Sequence, residues 1–124
     1  MDKARLKAIP LFADLAEDDL NTIATFAEET SVGPGEVLVR EGDFSAELIA
    51  IEEGSAEVEH EGKVVATLGP GDYFGEVALA MSVPRTASVL ALTPAVVASC
   101  DKQTFDEFLR PLFADDGPAR PRYE

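Results

Sequence analysis

The sequence has little positive charge, one cysteine, one histidine and no tryptophan. Its 10 lysines and arginines stand against 24 aspartates and glutamates, which gives a formal net charge of −14 at pH 7. Binding to DNA, RNA or an anionic membrane needs a positive face that neutralises phosphates, so this composition argues against a nucleic-acid or membrane partner. The acidity by itself indicates only a well-solvated surface.

The scarcity of cysteine and histidine excludes several kinds of chemistry. Cys100 has no second cysteine with which to form a disulfide, and His60 has no other histidine or cysteine nearby to share a metal. Ser82, Thr86 and Ser88 lack a neighbouring histidine that would activate a hydroxyl group. We therefore expect no catalytic residues, no metal and no cofactor, and we interpret Cys100 and His60 as structural.

Long apolar runs are also missing. No stretch approaches the roughly 18 apolar residues of a membrane span, and residues 1–5 lack the apolar core of a signal peptide. We expect a cytoplasmic protein. With 124 residues and 46% hydrophobic composition, the chain is long enough for one core.

That core is expected within residues 1–113, and residues 114–124 are expected to form a disordered tail. Gly117, Pro118 and Pro121 break the tail, which has no apolar periodicity. Helical spacing predicts helices over 2–8, 17–28 and 102–109, the last ending before Pro111. Alternating segments rich in Val, Ile and Leu predict strands around 37–40, 47–52, 55–60, 63–68, 86–92 and 95–100.

Two similar turns divide the strand region, Gly33-Pro34-Gly35-Glu36 and Gly69-Pro70-Gly71-Asp72. Each places proline where φ is near −65° and glycine where φ is positive. The pattern suits a mainly β fold with flanking helices, namely a jelly roll of about eight short strands.

Residues 71–88 carry the strongest functional signal, and we call this segment the cassette. Gly75 allows close approach of the backbone to a ligand. The run from Glu76 to Met81 is long enough for one or two helical turns whose first N–H groups attract an anion. Arg85 adds a planar fork of donors that keeps its charge. The combination indicates a site for a phosphate ester.

Phe74-Gly75-Glu76, the small apolar run and Pro84-Arg85-Thr86-Ala87-Ser88 resemble the phosphate-binding cassette of the cyclic nucleotide-binding domain family. The resemblance extends over about residues 8–112, through Gly35-Glu36-x-Leu38, Arg40-Glu41-Gly42-Asp43 and Gly54-Ser55-Ala56-Glu57-Val58. It implies that Glu76 binds the ribose 2′-hydroxyl, that Arg85 binds the phosphate, and that the backbone amides and the Thr86 hydroxyl complete the phosphate shell. The implied ligand-binding residues are Phe74, Gly75, Glu76, Val77, Ala78, Pro84, Arg85, Thr86 and Ala87, with Val58, Val65 and Leu68 near the ribose and base.

Two local alternatives remain at this point. Spacing alone favours the apolar core for Val58, Val65 and Leu68, and it places Leu79 and Met81 beneath the cassette helix. Glu76 and Arg85 also have a simpler interpretation, as an acid at a helix N-terminus and its ion-pair partner.

The resemblance implies a stand-alone monomeric sensor that binds cyclic AMP or cyclic GMP and signals to an effector protein that the sequence does not identify. The alternative is a protein-interaction module that keeps the fold and needs no ligand. Intact Glu76 and Arg85 favour the sensor, since a module without ligand has no need for both at matched positions.

Overall fold

Two four-stranded antiparallel sheets face each other in this computed structural model, which describes residues 1–45 and 47–113. The strand order is β1-β8-β3-β6 in the first sheet and β2-β7-β4-β5 in the second. The strands are β1 Glu28–Val32, β2 Val37–Val39, β3 Glu47–Glu53, β4 Ala56–His60, β5 Lys63–Leu68, β6 Tyr73–Phe74, β7 Ser88–Ala91 and β8 Ala95–Asp101. This arrangement confirms the predicted mainly β jelly roll. The predicted tail, residues 114–124, lies outside the described residues.

The space between the sheets is filled by side chains that alternate along the strands. In β4, Ala56 and Val58 are buried while the glutamates between them are partly exposed. Ile51, Phe74 and Val89 join them in one apolar cluster. Burial of this alternating face fixes the register of each strand, because a slip by one residue would turn the apolar side chains to solvent.

The N-terminal helices cover the outer face of the first sheet. They comprise α1 Lys3–Lys7, a 3₁₀ helix Pro10–Phe12 and α2 Glu17–Phe26. Leu20 and Ile23 of α2 are buried at the predicted helical spacing, in a cluster with Leu48 of β3. The helix ends two residues earlier than predicted, because Ala27 is already extended at ψ 140° and leads into β1.

The helical segment after β8 is longer than predicted. Asp101 caps it, with Oδ1 accepting from the backbone N–H of Thr104 at 2.8 Å. α4 Lys102–Thr104 continues as a π-helical turn, Phe105–Leu109, and a 3₁₀ turn, Arg110–Phe113. The predicted end before Pro111 is wrong: a proline is tolerated in the first turn of a helix, and the Phe113 ring packs 5.6 Å from the ring of Tyr73.

Two strands lack a sequence pattern that would reveal them. β1 lies at a sheet edge and buries only Val32, so its residues do not alternate. β6 has two residues and is fixed by pairing with Ile49 and Ala50 of β3. Within residues 1–45 and 47–113, no helix is long and apolar enough to cross a membrane.

Candidate functional site

The cassette links the two sheets through one short helix. β6 of the first sheet ends at Phe74, which is fully buried between the sheets. Gly75 then adopts φ +102° and caps α3 Glu76–Met81. The chain passes Ser82 at φ +53° and reaches β7 of the second sheet at Ser88. Both ends of the cassette are therefore held by strands.

Arg85 lies inside the protein and is held by the segment between β2 and β3. Its side chain is 1% exposed. Nε donates to the Ser45 hydroxyl and Nη2 donates to the Glu47 carbonyl oxygen, each at 2.7 Å. The backbone of Arg85 also bonds to this segment, donating to the Asp43 carbonyl at 2.9 Å and accepting from the Gly42 N–H at 2.7 Å. Two of the five guanidinium donors thus bind protein groups in this structure.

Gly75 makes room for that guanidinium. A Cβ atom added at Gly75 would lie 2.5 Å from the Glu47 carbonyl oxygen and 2.6 Å from Nη1 of Arg85. Both distances are well inside van der Waals contact, and φ +102° is strained for any residue with a side chain. The sequence predicted a glycine that admits a ligand, and the structure adds a glycine that admits Arg85.

Glu76 brings a second buried charge to the same place. It is the first residue of α3 and has no exposed surface. Burial lowers the pKa of the Arg85 guanidinium, while the carboxylates of Glu47 and Glu76 act in the opposite direction. Because burying a charge is costly unless an opposite charge compensates it, Glu76 and Arg85 form a mutually dependent pair.

The other predicted cassette residues occupy both sides of the surface. Ala78 and Ala87 are buried, whereas Val77 is half-buried and Pro84 and Thr86 are exposed. Leu79 packs in the core as expected, but Met81 is 68% exposed, so its predicted packing beneath the helix is wrong. Met81 is the last residue of α3, where the chain turns away at Ser82.

The three apolar residues outside the cassette separate into two groups. Val58 and Leu68 are fully buried between the sheets, which confirms their core interpretation. Val65 is 59% exposed, so a core position for it is wrong. The physical reason is that β5 is an edge strand, with Val64 and Val65 both turned to solvent.

An open cavity of about 320 Å³ lies beside the residues that follow Arg85 in sequence. It is lined by Thr86 and Ala87 from the cassette, Val65 from β5 and His60 from the end of β4. The sequence predicted the first three of these. His60 was missed because its position at the cavity depends on the pairing of β4 with β7, which spacing along the chain does not reveal.

A second cavity, of about 210 Å³, lies near the C-terminal end of α3, where Phe44, Leu79, Val83 and Lys102 contribute to its lining. Its lining is mainly apolar, and neither Thr86 nor Ala87 contributes to it. The larger cavity is therefore the better match for a sugar phosphate held at Arg85. Among the described residues, no group of three or more His, Cys, Asp or Glu side chains is placed to hold a metal.

A family model described as the cyclic nucleotide-binding domain matches residues 29–111, a range that includes the whole cassette. The chain belongs to this family.

Relatives and solved structures agree with this assignment. A cAMP-dependent protein kinase regulatory subunit of Yarrowia lipolytica is 40% identical over 109 residues, covering 86% of this chain and 29% of that protein. The cAMP-bound chain PfPKA-R (141-441) superposes with a TM-score of 0.82 at 27% identity, covering 89% of this chain and 39% of the other. The regulatory subunit of a cAMP-independent protein kinase A from Trypanosoma brucei gives a TM-score of 0.82 at 28% identity over 88% and 40% of the two chains. The chain thus spans less than a third of the Yarrowia protein.

Proposed function

We propose that this domain is a sensor module that binds one 3′,5′-cyclic nucleotide, cyclic AMP or cyclic GMP, and transmits the binding to an effector protein. The observation that carries the proposal is the buried pair of Glu76 and Arg85. A fold that only needed stability would be as well served by apolar residues at these positions. A phosphate ester with a ribose gives both charges a purpose.

The cassette offers separate groups to the parts of the ligand. The phosphate would lie at the start of α3, where backbone N–H groups and the Arg85 guanidinium favour an anion. The ribose 2′-hydroxyl would bind Glu76. The base would then extend into the cavity beside Thr86 and Val65. Since the guanidinium is 1% exposed and already bonded to Ser45 and Glu47, phosphate binding requires the segment 42–47 to adjust.

Charge on the rest of the protein gives no help. A formal net charge of −14 repels a cyclic nucleotide at long range, so affinity must arise from local contacts. Raising the salt concentration should screen this repulsion and leave the short-range contacts largely intact.

The relatives suggest the kind of partner. The Yarrowia protein is a regulatory subunit of a protein kinase, so we propose a kinase as the effector to test first. We also propose that this domain performs no catalysis itself and is a monomer in the cytoplasm.

An interaction module that works without cyclic AMP is the second candidate. It is favoured by the superposition on the regulatory subunit of a cAMP-independent protein kinase A. The same fold therefore does not by itself imply a cyclic AMP ligand.

Thermal unfolding of protein stripped of copurified ligand separates the two candidates. A ligand that binds only the folded state stabilises it by about 2.7 kcal/mol at a hundredfold excess over the dissociation constant. We expect cyclic AMP or cyclic GMP to raise the melting temperature and linear 5′-AMP to do much less. Equal shifts with cyclic and linear nucleotides, or no shift at millimolar concentrations, would favour the interaction module.

A further inference from the structure

His60 reaches the cassette from the opposite side of the cavity. It is the last residue of β4, and the turn after it contains Glu61 at φ +52° and Gly62 at φ +80°, as a type I′ hairpin requires. This tight turn ends the β4–β5 hairpin. The imidazole is half exposed, and its Nδ1 lies 2.7 Å from the carbonyl oxygen of Thr86.

That contact defines the proton arrangement of the ring. A carbonyl oxygen only accepts hydrogen bonds, so Nδ1 carries the proton and donates it to Thr86. In the neutral ring, Nε2 is then an acceptor. The carboxylates around the ring are Glu41, whose Oε1 lies 3.5 Å from Nδ1, and Glu61, whose Oε1 lies 3.7 Å from Nε2.

We propose that His60 reads the base of the bound nucleotide, with Nε2 accepting a hydrogen bond from the exocyclic amino group of adenine or guanine. The inference rests on the proposed function. The cavity is bounded by Thr86 and Ala87, which directly follow the phosphate-binding Arg85, and by Val65, which supplies an apolar surface for the ring face. A nucleotide held at the cassette with its base in this cavity meets His60.

His60 also has the features of a positioning residue, so the test must separate the two roles. Glu41 accepts from the backbone N–H of Glu61 at 3.0 Å, and its own N–H donates to the Ser88 hydroxyl at 2.8 Å. This network joins the hairpin tip to the chain after Thr86. A variant that merely loosened it would weaken every ligand equally.

The experiment compares nucleotides that differ only in the amino group. Cyclic AMP is paired with the 3′,5′-cyclic phosphate of purine riboside, and cyclic GMP with cyclic IMP. Dissociation constants are measured for the wild type, His60→Asn and His60→Gln. Asparagine keeps a donor near the position of Nδ1 and lacks a group at Nε2, whereas glutamine reaches the position of Nε2. Lys63→Gln, at the strand partner of His60, is the matched control.

The wild type and Lys63→Gln should prefer the amino-bearing nucleotide in at least one pair by about two- to tenfold, the range of one hydrogen bond. His60→Asn should lose the preference, and His60→Gln should retain part of it. Equal weakening of both members of each pair by His60→Asn would overturn the inference in favour of a positioning role. A wild type that binds these nucleotides without preference would overturn the inference and leave the proposed function intact. No binding at all by the wild type would overturn both.

Discussion

Replacing Gly75 by alanine tests how the cassette holds Arg85. The new Cβ would lie 2.5 Å from the Glu47 carbonyl oxygen and 2.6 Å from Nη1 of Arg85. Relief of these overlaps requires the guanidinium to move out of its seat, and overpacking of this kind costs about 1–3 kcal/mol. The positive φ of +102° adds about 1–2 kcal/mol of backbone strain.

Gly35→Ala is the matched control for the backbone contribution. Gly35 has φ +83°, and a Cβ there would meet nothing within 4 Å, so only the strain of about 1–2 kcal/mol is expected. Urea denaturation of both variants gives the free energies of unfolding, and their difference isolates the steric effect. Calorimetric titration of folded Gly75→Ala should also show weakened binding of cyclic AMP, while Gly35→Ala binds normally.

The reasoning fails if Gly75→Ala is destabilised no more than Gly35→Ala and binds cyclic AMP with the affinity of the wild type. That result would mean that Arg85 does not need its present position. A loss of stability without a loss of affinity would show that the guanidinium seat supports the fold and not the ligand.

Three further predictions concern single groups. Glu76→Gln should weaken cyclic nucleotide binding less than removal of Arg85 does, because an amide oxygen still accepts from the ribose hydroxyl; binding at wild-type affinity would remove Glu76 from the site. Cyclic AMP and cyclic GMP should both bind, with the Thr86 hydroxyl accessible to either purine, and their dissociation constants should differ by less than about tenfold, a margin of 1.4 kcal/mol; a preference beyond about a hundredfold in competition binding would contradict this. Burial raises the pKa of the Cys100 thiol to about 12, so iodoacetamide at pH 8 should modify folded protein far more slowly than urea-unfolded protein, and equal rates would contradict the buried position.

The sequence revealed those elements whose own residues carry a period. The α2 helix and strands β3, β4 and β8 each have several buried apolar residues at helical or alternating spacing, and all four were predicted. Strands β1 and β6 were not, because an edge strand with one buried residue and a strand of two residues depend on their partners. Pro111 misled for a related reason: local chemistry ended the helix, while contacts of Phe113 extended it.

The candidate site divides along the same line. Glu76 and Arg85 were found because the cassette is contiguous in sequence and its residue types have specific chemistry. Their burial was not foreseen, since Ser45 and Glu47, which bind Arg85, lie 40 and 38 residues away along the chain. The exposure of Val65 and the contact of His60 with Thr86 likewise depend on strand order rather than on local sequence.

Calorimetric titration with cyclic AMP and cyclic GMP, on protein stripped of copurified ligand, tests the central claim most directly. The wild type should bind one cyclic nucleotide per chain. Arg85→Ala should bind about ten- to a hundredfold more weakly, from the loss of roughly 1.5–3 kcal/mol of charge-assisted hydrogen bonding, and Arg85→Lys should restore part of the affinity. Unfolding curves recorded in parallel would show that both variants are folded. No heat of binding with either nucleotide, or undiminished affinity in folded Arg85→Ala, would contradict the assignment of this site.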